Sequence, residues 1–227
     1  MLIKNWMSRP VVTVSAGASM HMARDLMEKH KIRSLPVVRQ DKVIGLLTDR
    51  DIKRASASDA TSLDVYELRY LLQSIIVEKI MSPDPVTIEY DHTLSEAADL
   101  FFKDKIEALP VTAGQDELVG ILCPSDVARA LLAITSFSQR GIELGIRIAD
   151  QPGATMALVD LVRNAGGRLA SLIVTDSKSN QGMREVYIHT YRLAPNSLAG
   201  LVEELKQRGT LVYLVDHIRD ERKIFSA

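Results

Sequence analysis

One stretch of this chain is written twice. Gly45-Leu46-Leu47-Thr48-Asp49-Arg50-Asp51-Ile52 returns as Gly120-Ile121-Leu122-Cys123-Pro124-Ser125-Asp126-Val127. An internal repeat constrains the fold more tightly than local propensity, because both copies must form the same supersecondary unit and bury their apolar faces together. In each copy a glycine closes an apolar, strand-like run, and an aspartate stands where a helical pattern begins. An acidic side chain at such a junction can cap the helix by accepting backbone N–H groups. It can equally accept hydrogen bonds from vicinal hydroxyls such as those of a ribose. The residues alone leave both readings open.

The repetition extends outward from this junction. Met7-Ser8 recurs as Met81-Ser82, and Val12-Thr13-Val14 as Val86-Thr87-Ile88. Ser19 and Thr93 are suited to cap the helices that follow, with Glu96 at capping-box spacing. Met20, Ala23, Met27 and His30 form one stripe of the first helix, and Leu94, Ala97, Ala98 and Phe101 one stripe of the second; both read as core. Leu35-Pro36-Val37-Val38 and Leu109-Pro110-Val111-Thr112 then begin strand hairpins that return through Gly45 and Gly120. The predicted unit is β-α-β-β-α, first over about 1–57 and again over about 77–135. The two sheets are expected to pack into one pseudo-symmetric body. Between them, Val65, Leu68, Leu72 and Ile75 predict a connecting helix over about 62–76, either covering the module or forming part of a dimer surface.

These residues resemble a tandem pair of CBS domains, the Bateman module, over roughly residues 1–135. The family's Gly-x-x-Thr/Ser-x-x-Asp signature is met by Gly45, Thr48 and Asp51; the second copy keeps Gly120 and Asp126 but carries Cys123 in place of the hydroxyl. A thiol is a weak hydrogen-bond partner. The resemblance implies a regulatory sensor for an adenosyl ligand, such as AMP, ADP, ATP or S-adenosylmethionine, held in clefts between the repeats. In one cleft Val11, Ile32 and Arg33 would face Cys123 and Asp126. In the other Val86, Ile106 and Glu107 would face Thr48 and Asp51. Arg33 would favour a phosphate and Glu107 repel one, so unequal sites are expected; the alternative is that both are solvated rim charges. Domain order and the Leu63–Leu72 stretch are also similar to bacterial acetoin-utilisation (AcuB-like) proteins.

Residues 136–141 read as a short hinge. Beyond them, Ile142, Leu144, Ile146 and Ile148 alternate with polar positions, as in a strand with one buried face. A helix over about 154–164 follows, with Met156, Leu158, Val159 and Val162 available for its apolar face. Strands over 168–175 and 185–192, a helix opened by Asn196 or Ser197 and closed by Gly209, and a strand over 211–215 complete βαββαβ, the ferredoxin-like order. With Asp150-Gln151-Pro152-Gly153 between first strand and first helix, residues 140–219 resemble an ACT domain. The resemblance implies pairing through sheets and a small-acid or amino-acid site at Asp150, Gly153 and Ala154, where glycine admits a carboxylate to a helix N-terminus. Gly153 serving the turn alone is the competing reading. The expected class is α+β: a tandem CBS pair followed by a ferredoxin-like (βαββαβ) ACT domain, as a homodimer.

Twenty-eight basic residues balance 29 acidic ones without a like-charge block, which argues against a nucleic-acid or anionic-membrane partner. No apolar run approaches the roughly 18 residues of a spanning helix, and Met1-Leu2-Ile3-Lys4-Asn5-Trp6 lacks the core of a signal peptide. With Cys123 as the sole cysteine, a cytoplasmic chain is expected. His21, His30 and His92 have no partner at metal-ligand spacing, so no metal is expected. Trp6 reads as an anchor for the N-terminal segment. Cys123 lacks a histidine nearby in sequence, and no catalytic constellation appears, so the chain is not expected to be an enzyme. A structural or assembly module with vestigial clefts is the alternative function.

Overall fold

The structure, a computed structural model, describes residues 1–40, 42–58, 74–114, 117–177, 181–194 and 196–225. It divides into two compact units, Met1–Ala128 and Arg129–Ala227, upstream of the boundary the sequence predicts.

In the first unit the first copy runs β1 (Val14–Ser15), α1 (Met20–His30), β2 (Ser34–Arg39), β3 (Lys42–Thr48) and α2 (Asp49–Ser58). After a short β4 (Ser82–Pro83), the second runs β5 (Ile88–Glu89), α3 (Leu94–Asp104), β6 (Leu109–Ala113), β7 (Glu117–Leu122) and α4 (Pro124–Ile134), a helix whose residues from Arg129 onward belong to the second unit. The strands join in the order β1-β2-β3-β7-β6-β5, with β4 against β3. Lys42 paired with Glu117 links the two halves. Ser19 caps α1 by accepting from Met22 N at 3.2 Å. Thr93 and Glu96 form the predicted reciprocal box on α3, each side chain accepting the other's backbone N–H, at 3.3 and 2.7 Å. Met20, Ala23 and Met27 are buried with Leu35, Val37 and Leu47 in the first copy's core. His30, expected on that stripe, is exposed: it is the last residue of α1, beside a left-handed Lys31 where the chain turns away.

The repetition conceals an exchange. The turn Ile3–Asn5 docks on the second copy, and the turn Val77–Lys79 docks on the first. Ile3 N donates to His92 O and Lys4 N to Tyr90 O, at 2.9 and 3.0 Å. Their counterparts are Val77 N to Ala18 O and Glu78 N to Ala16 O, at 2.9 and 3.0 Å. Met7 then lies across Gly120 and Met81 across Gly45, so that a Cβ at either glycine would collide with the methionine sulfur. Each copy is thus completed by the segment preceding the other. Ile3 and Met7 are the buried anchors of the first segment; Trp6, expected in that role, is half-buried. Most of the predicted connecting helix, residues 62–73, lies outside the described residues; Ser19 forms a bridge to Ile76 beyond it.

In the second unit β8 (Ile142–Ala149), α5 (Ala154–Asn164), β9 (Arg168–Asp176), β10 (Met183–Tyr191), α6 (Ser197–Arg208) and β11 (Thr210–Asp216) give the predicted βαββαβ. The order β11-β8-β10-β9 is that of a ferredoxin-like sheet. Leu144, Ile146 and Ile148 pack in one core with Leu158, Val162, Leu201 and Leu205. Met156 faces outward at 53% exposure, since the burial of Leu158, Val159 and Val162 sets the inner stripe two residues further on. A further strand, β12 (Glu221–Ile224), extends the sheet against β11. It lies past the predicted limit at 219, and all four of its residues are exposed, so it leaves no apolar alternation in the sequence. The predicted hinge is tied down at its start: Thr135 O accepts from Ser171 Oγ at 3.2 Å and lies 2.9 Å from His189 Nδ1, and Ser136 Oγ donates to Ala170 O at 3.1 Å.

Candidate functional site

Thr48 ends β3 and precedes α2, and its hydroxyl accepts from Asp51 N at 3.3 Å. Asp51 answers through Oδ2, which accepts from Thr48 N at 2.9 Å and from Thr48 Oγ1 at 2.7 Å. Its other oxygen, Oδ1, faces Arg54 at 3.6 Å, an arginine that is 80% exposed. In the second copy Asp126 Oδ2 accepts from Cys123 N at 2.7 Å, and Pro124 fills the first helical position, where no N–H is needed. Both carboxylates are buried, at 8% and 4% exposure.

The capping reading is therefore realised in both copies. It does not exhaust the carboxylate, which offers about four lone-pair sites. Capping engages Oδ2 and fixes the group's orientation, while Asp51 Oδ1 faces the exposed Arg54. A preorganised acceptor of this kind can serve a vicinal diol.

Strand register decides which predicted residues meet. Ser34 pairs with Thr48, and Arg33 O accepts from Asp49 N at 2.9 Å. Half-buried Ile32 and exposed Arg33 therefore stand first beside Thr48 and Asp51 of their own copy. Leu109 pairs with Leu122, which sets Ile106 and Glu107 at the Cys123–Asp126 junction in the same way. Val11, half-buried, and Val86, exposed, lie in the segments leading into β1 and β5. The crosswise arrangement expected from the sequence has one described contact. Arg50, next to Asp51 on α2, forms an ion pair with Glu107 of the other copy. Glu107 is thus neutralised rather than a bare negative charge. Sequence reasoning passed over Arg50, although its repeat counterpart, Ser125, marks a position where the copies differ in charge.

The Cys123 thiol is pushed up to about 11 by burial and then by the Asp126 carboxylate. At neutral pH it is protonated and a poor nucleophile. Among the described residues no cluster of three or more histidine, cysteine or acidic side chains could hold a metal, and no helix is long and apolar enough to cross a membrane.

In the second unit Asp150 and Gly153 line a depression of about 490 Å³ with Pro152, Thr155, Met156 and Arg184. Gly153 has φ +82, in the left-handed region that glycine occupies without strain. It precedes Ala154, the first residue of α5. Arg184 Nε lies 2.8 Å from Asp150 Oδ1. The pairing of β10 with β8 brings Arg184 opposite Ile148, a juxtaposition that the intervening loop hides in the sequence.

The family model for the CBS domain matches residues 3–58 and 77–133. The CBS domain-containing protein YhcV of Bacillus subtilis is 32% identical over 126 residues, which are 56% of this chain and 82% of that protein. The chain belongs to the CBS-domain proteins. The solved CBS domain pair of protein MJ0100, in complex with 5'-methylthioadenosine and S-adenosyl-L-methionine, is 26% identical with a TM-score of 0.50, covering 58% of this chain and 95% of that one. A putative acetoin utilization protein (AcuB) from Vibrio cholerae is 28% identical with a TM-score of 0.50, covering 61% of this chain and 98% of that one. An inosine-5'-monophosphate dehydrogenase of Korarchaeum cryptofilum is 34% identical over 55% of this chain, which spans 23% of that enzyme's length. In this CBS pair, the repeated glycine thus seats a methionine from the opposite copy, and the repeated aspartate caps a helix in each.

Proposed function

We propose that this chain is a non-catalytic sensor whose CBS pair binds an adenine nucleotide or related adenosyl ligand. The carrying observation is the oriented, buried Asp51 carboxylate, whose Oδ2 is held by Thr48 while Oδ1 faces an exposed arginine. The likeness to the MJ0100 pair, which binds 5'-methylthioadenosine and S-adenosyl-L-methionine, supports this ligand class. Val11, Ile32, Arg33, Val86, Ile106 and Glu107 would flank the base and its substituents, with Thr48, Asp51, Cys123 and Asp126 on the ribose side. The copies would bind unequally, since Thr48 brings a hydroxyl and Cys123 a protonated thiol. The second unit is read as an ACT domain with an amino-acid or small-acid site at Asp150, Gly153 and Ala154, and the assembly as a homodimer. Ligand would act by preferring one arrangement of the two CBS repeats.

Both aspartates are engaged in capping, and that observation favours the second reading, an assembly module with vestigial clefts. Calorimetric titration with S-adenosylmethionine, 5'-methylthioadenosine, AMP, ADP and ATP separates the two. The sensor binds at least one of them, and Asp51→Ala weakens that binding by about tenfold or more, a loss of about 1.4 kcal/mol. Equal, small losses from Asp51→Ala and Asp126→Ala would end the claim of unequal sites, and no binding at millimolar ligand would favour the assembly module.

A further inference from the structure

The exchanged turns leave the two CBS copies unequal at the hairpin end of the sheet, away from the aspartates. In the first copy Arg39, the last residue of β2, reaches Glu78 on the docked turn, with Nη2 2.6 Å from Oε1. The repeat counterparts in the second copy are Ala113, the last residue of β6, and Lys4 on the docked turn Ile3–Asn5. Alanine supplies no cation and little volume, and the acid has become a lysine. Where the first copy is closed by an ion pair, the second has a depression of about 300 Å³. Met7, Ala113 and Val119 line it with Lys4, Arg9 and Tyr90. Lys4 Nζ lies 5.8 Å from the Tyr90 ring centroid. Neither Lys4 nor Arg9 has an acidic partner within ion-pair distance among the described residues.

We propose that this depression is a second ligand site, independent of the adenosyl clefts, for a small organic anion. A compact apolar body would lie against Met7, Val119 and the Tyr90 ring, with its phosphate or carboxylate met by Lys4 and Arg9. Two cations facing one concavity repel each other, and an anion between them relieves that repulsion. The volume is at the lower end for ligand pockets, which selects a body of one ring or a short branched chain.

Phenyl phosphate is the probe, with benzyl alcohol as its uncharged control. Titration of the full chain, followed by calorimetry or saturation-transfer NMR, is expected to show saturable binding of phenyl phosphate and none of benzyl alcohol. The double substitution Lys4→Glu with Ala113→Arg copies the closed arrangement of the first repeat. It is expected to weaken phenyl phosphate about tenfold or more, about 1.4 kcal/mol, while adenosyl-ligand binding, where present, stays unchanged. If circular dichroism shows that the double variant does not fold, Lys4→Gln decides, with an expected loss of about twofold to fivefold for a single exposed charge partner. Saturation by benzyl alcohol with equal affinity, unaltered phenyl phosphate binding in the folded variant, or no binding to the parent chain at millimolar concentration would overturn the site.

Discussion

The two CBS repeats share a hydrogen-bonding plan down to single bonds. Met20 N to Ile75 O in one is Leu94 N to Met1 O in the other, both at 2.8 Å. Their side chains at three equivalent places have parted company: Thr48 against Cys123, Arg50 against Ser125, and the Arg39–Glu78 pair against Ala113 and Lys4. Backbone positions that complete the fold are held in common, whereas side chains at the strand-to-helix junction and at the hairpin end differ. The difference teaches that duplication supplied a symmetric scaffold, and that ligand selectivity has to be sought in what is unequal.

The strongest way to break this comparison is through what the copies share. Gly45→Val and Gly120→Val each drive a side chain into a methionine from the opposite segment. Overpacking of this kind costs about 3 kcal/mol, and urea denaturation should show similar losses for both. Met81→Ala should recover part of the Gly45→Val loss and none of the Gly120→Val loss. A large loss at one glycine alone would contradict the reciprocal exchange.

Unlike positions sharpen it. Cys123→Thr gives the second copy the hydroxyl that Thr48 supplies in the first, and it should raise stability by about 0.5–1 kcal/mol, the typical value of a capping side chain. In the parent chain the Cys123 thiol titrates near 11, above its ordinary value of 9.0. The folded state therefore holds this proton more tightly than the unfolded chain does. Its contribution to stability is complete below about pH 9 and is lost as the pH rises through about 11. Iodoacetamide reactivity against pH should have its midpoint there, and a midpoint at the ordinary value would remove the burial argument. The smallest effect belongs to the Arg50–Glu107 pair, whose arginine is 75% exposed. Arg50→Ala should cost less than about 1 kcal/mol, and that cost should shrink further in high salt.

Much of the fold was legible because it rests on local chemistry. Ser19, Thr93 and Glu96 announce their helices, and Ile142, Leu144, Ile146 and Ile148 their strand, since capping and alternation act over a few residues. Arg50 and Arg184 were missed as site residues because their partners come from far along the chain: Glu107 belongs to the other copy, and Asp150 is brought to Arg184 by the pairing of β8 with β10. The identity of the buried anchors was missed for a similar reason: Trp6 is the larger side chain, yet Ile3 and Met7 point at the opposite copy's core.

By itself the sequence determined that there are two equivalent halves, that each places an aspartate at a helix start, and that a βαββαβ unit follows, since repetition and periodicity are properties of the chain in order. Only the tertiary structure decided that each half is finished by the other's leading segment, that Asp51 holds its cap through one oxygen, and that Lys4 faces Ala113 where Glu78 faces Arg39. Those outcomes depend on which residues distant in sequence share a volume, and shape and Coulomb interaction are settled only once that volume is filled.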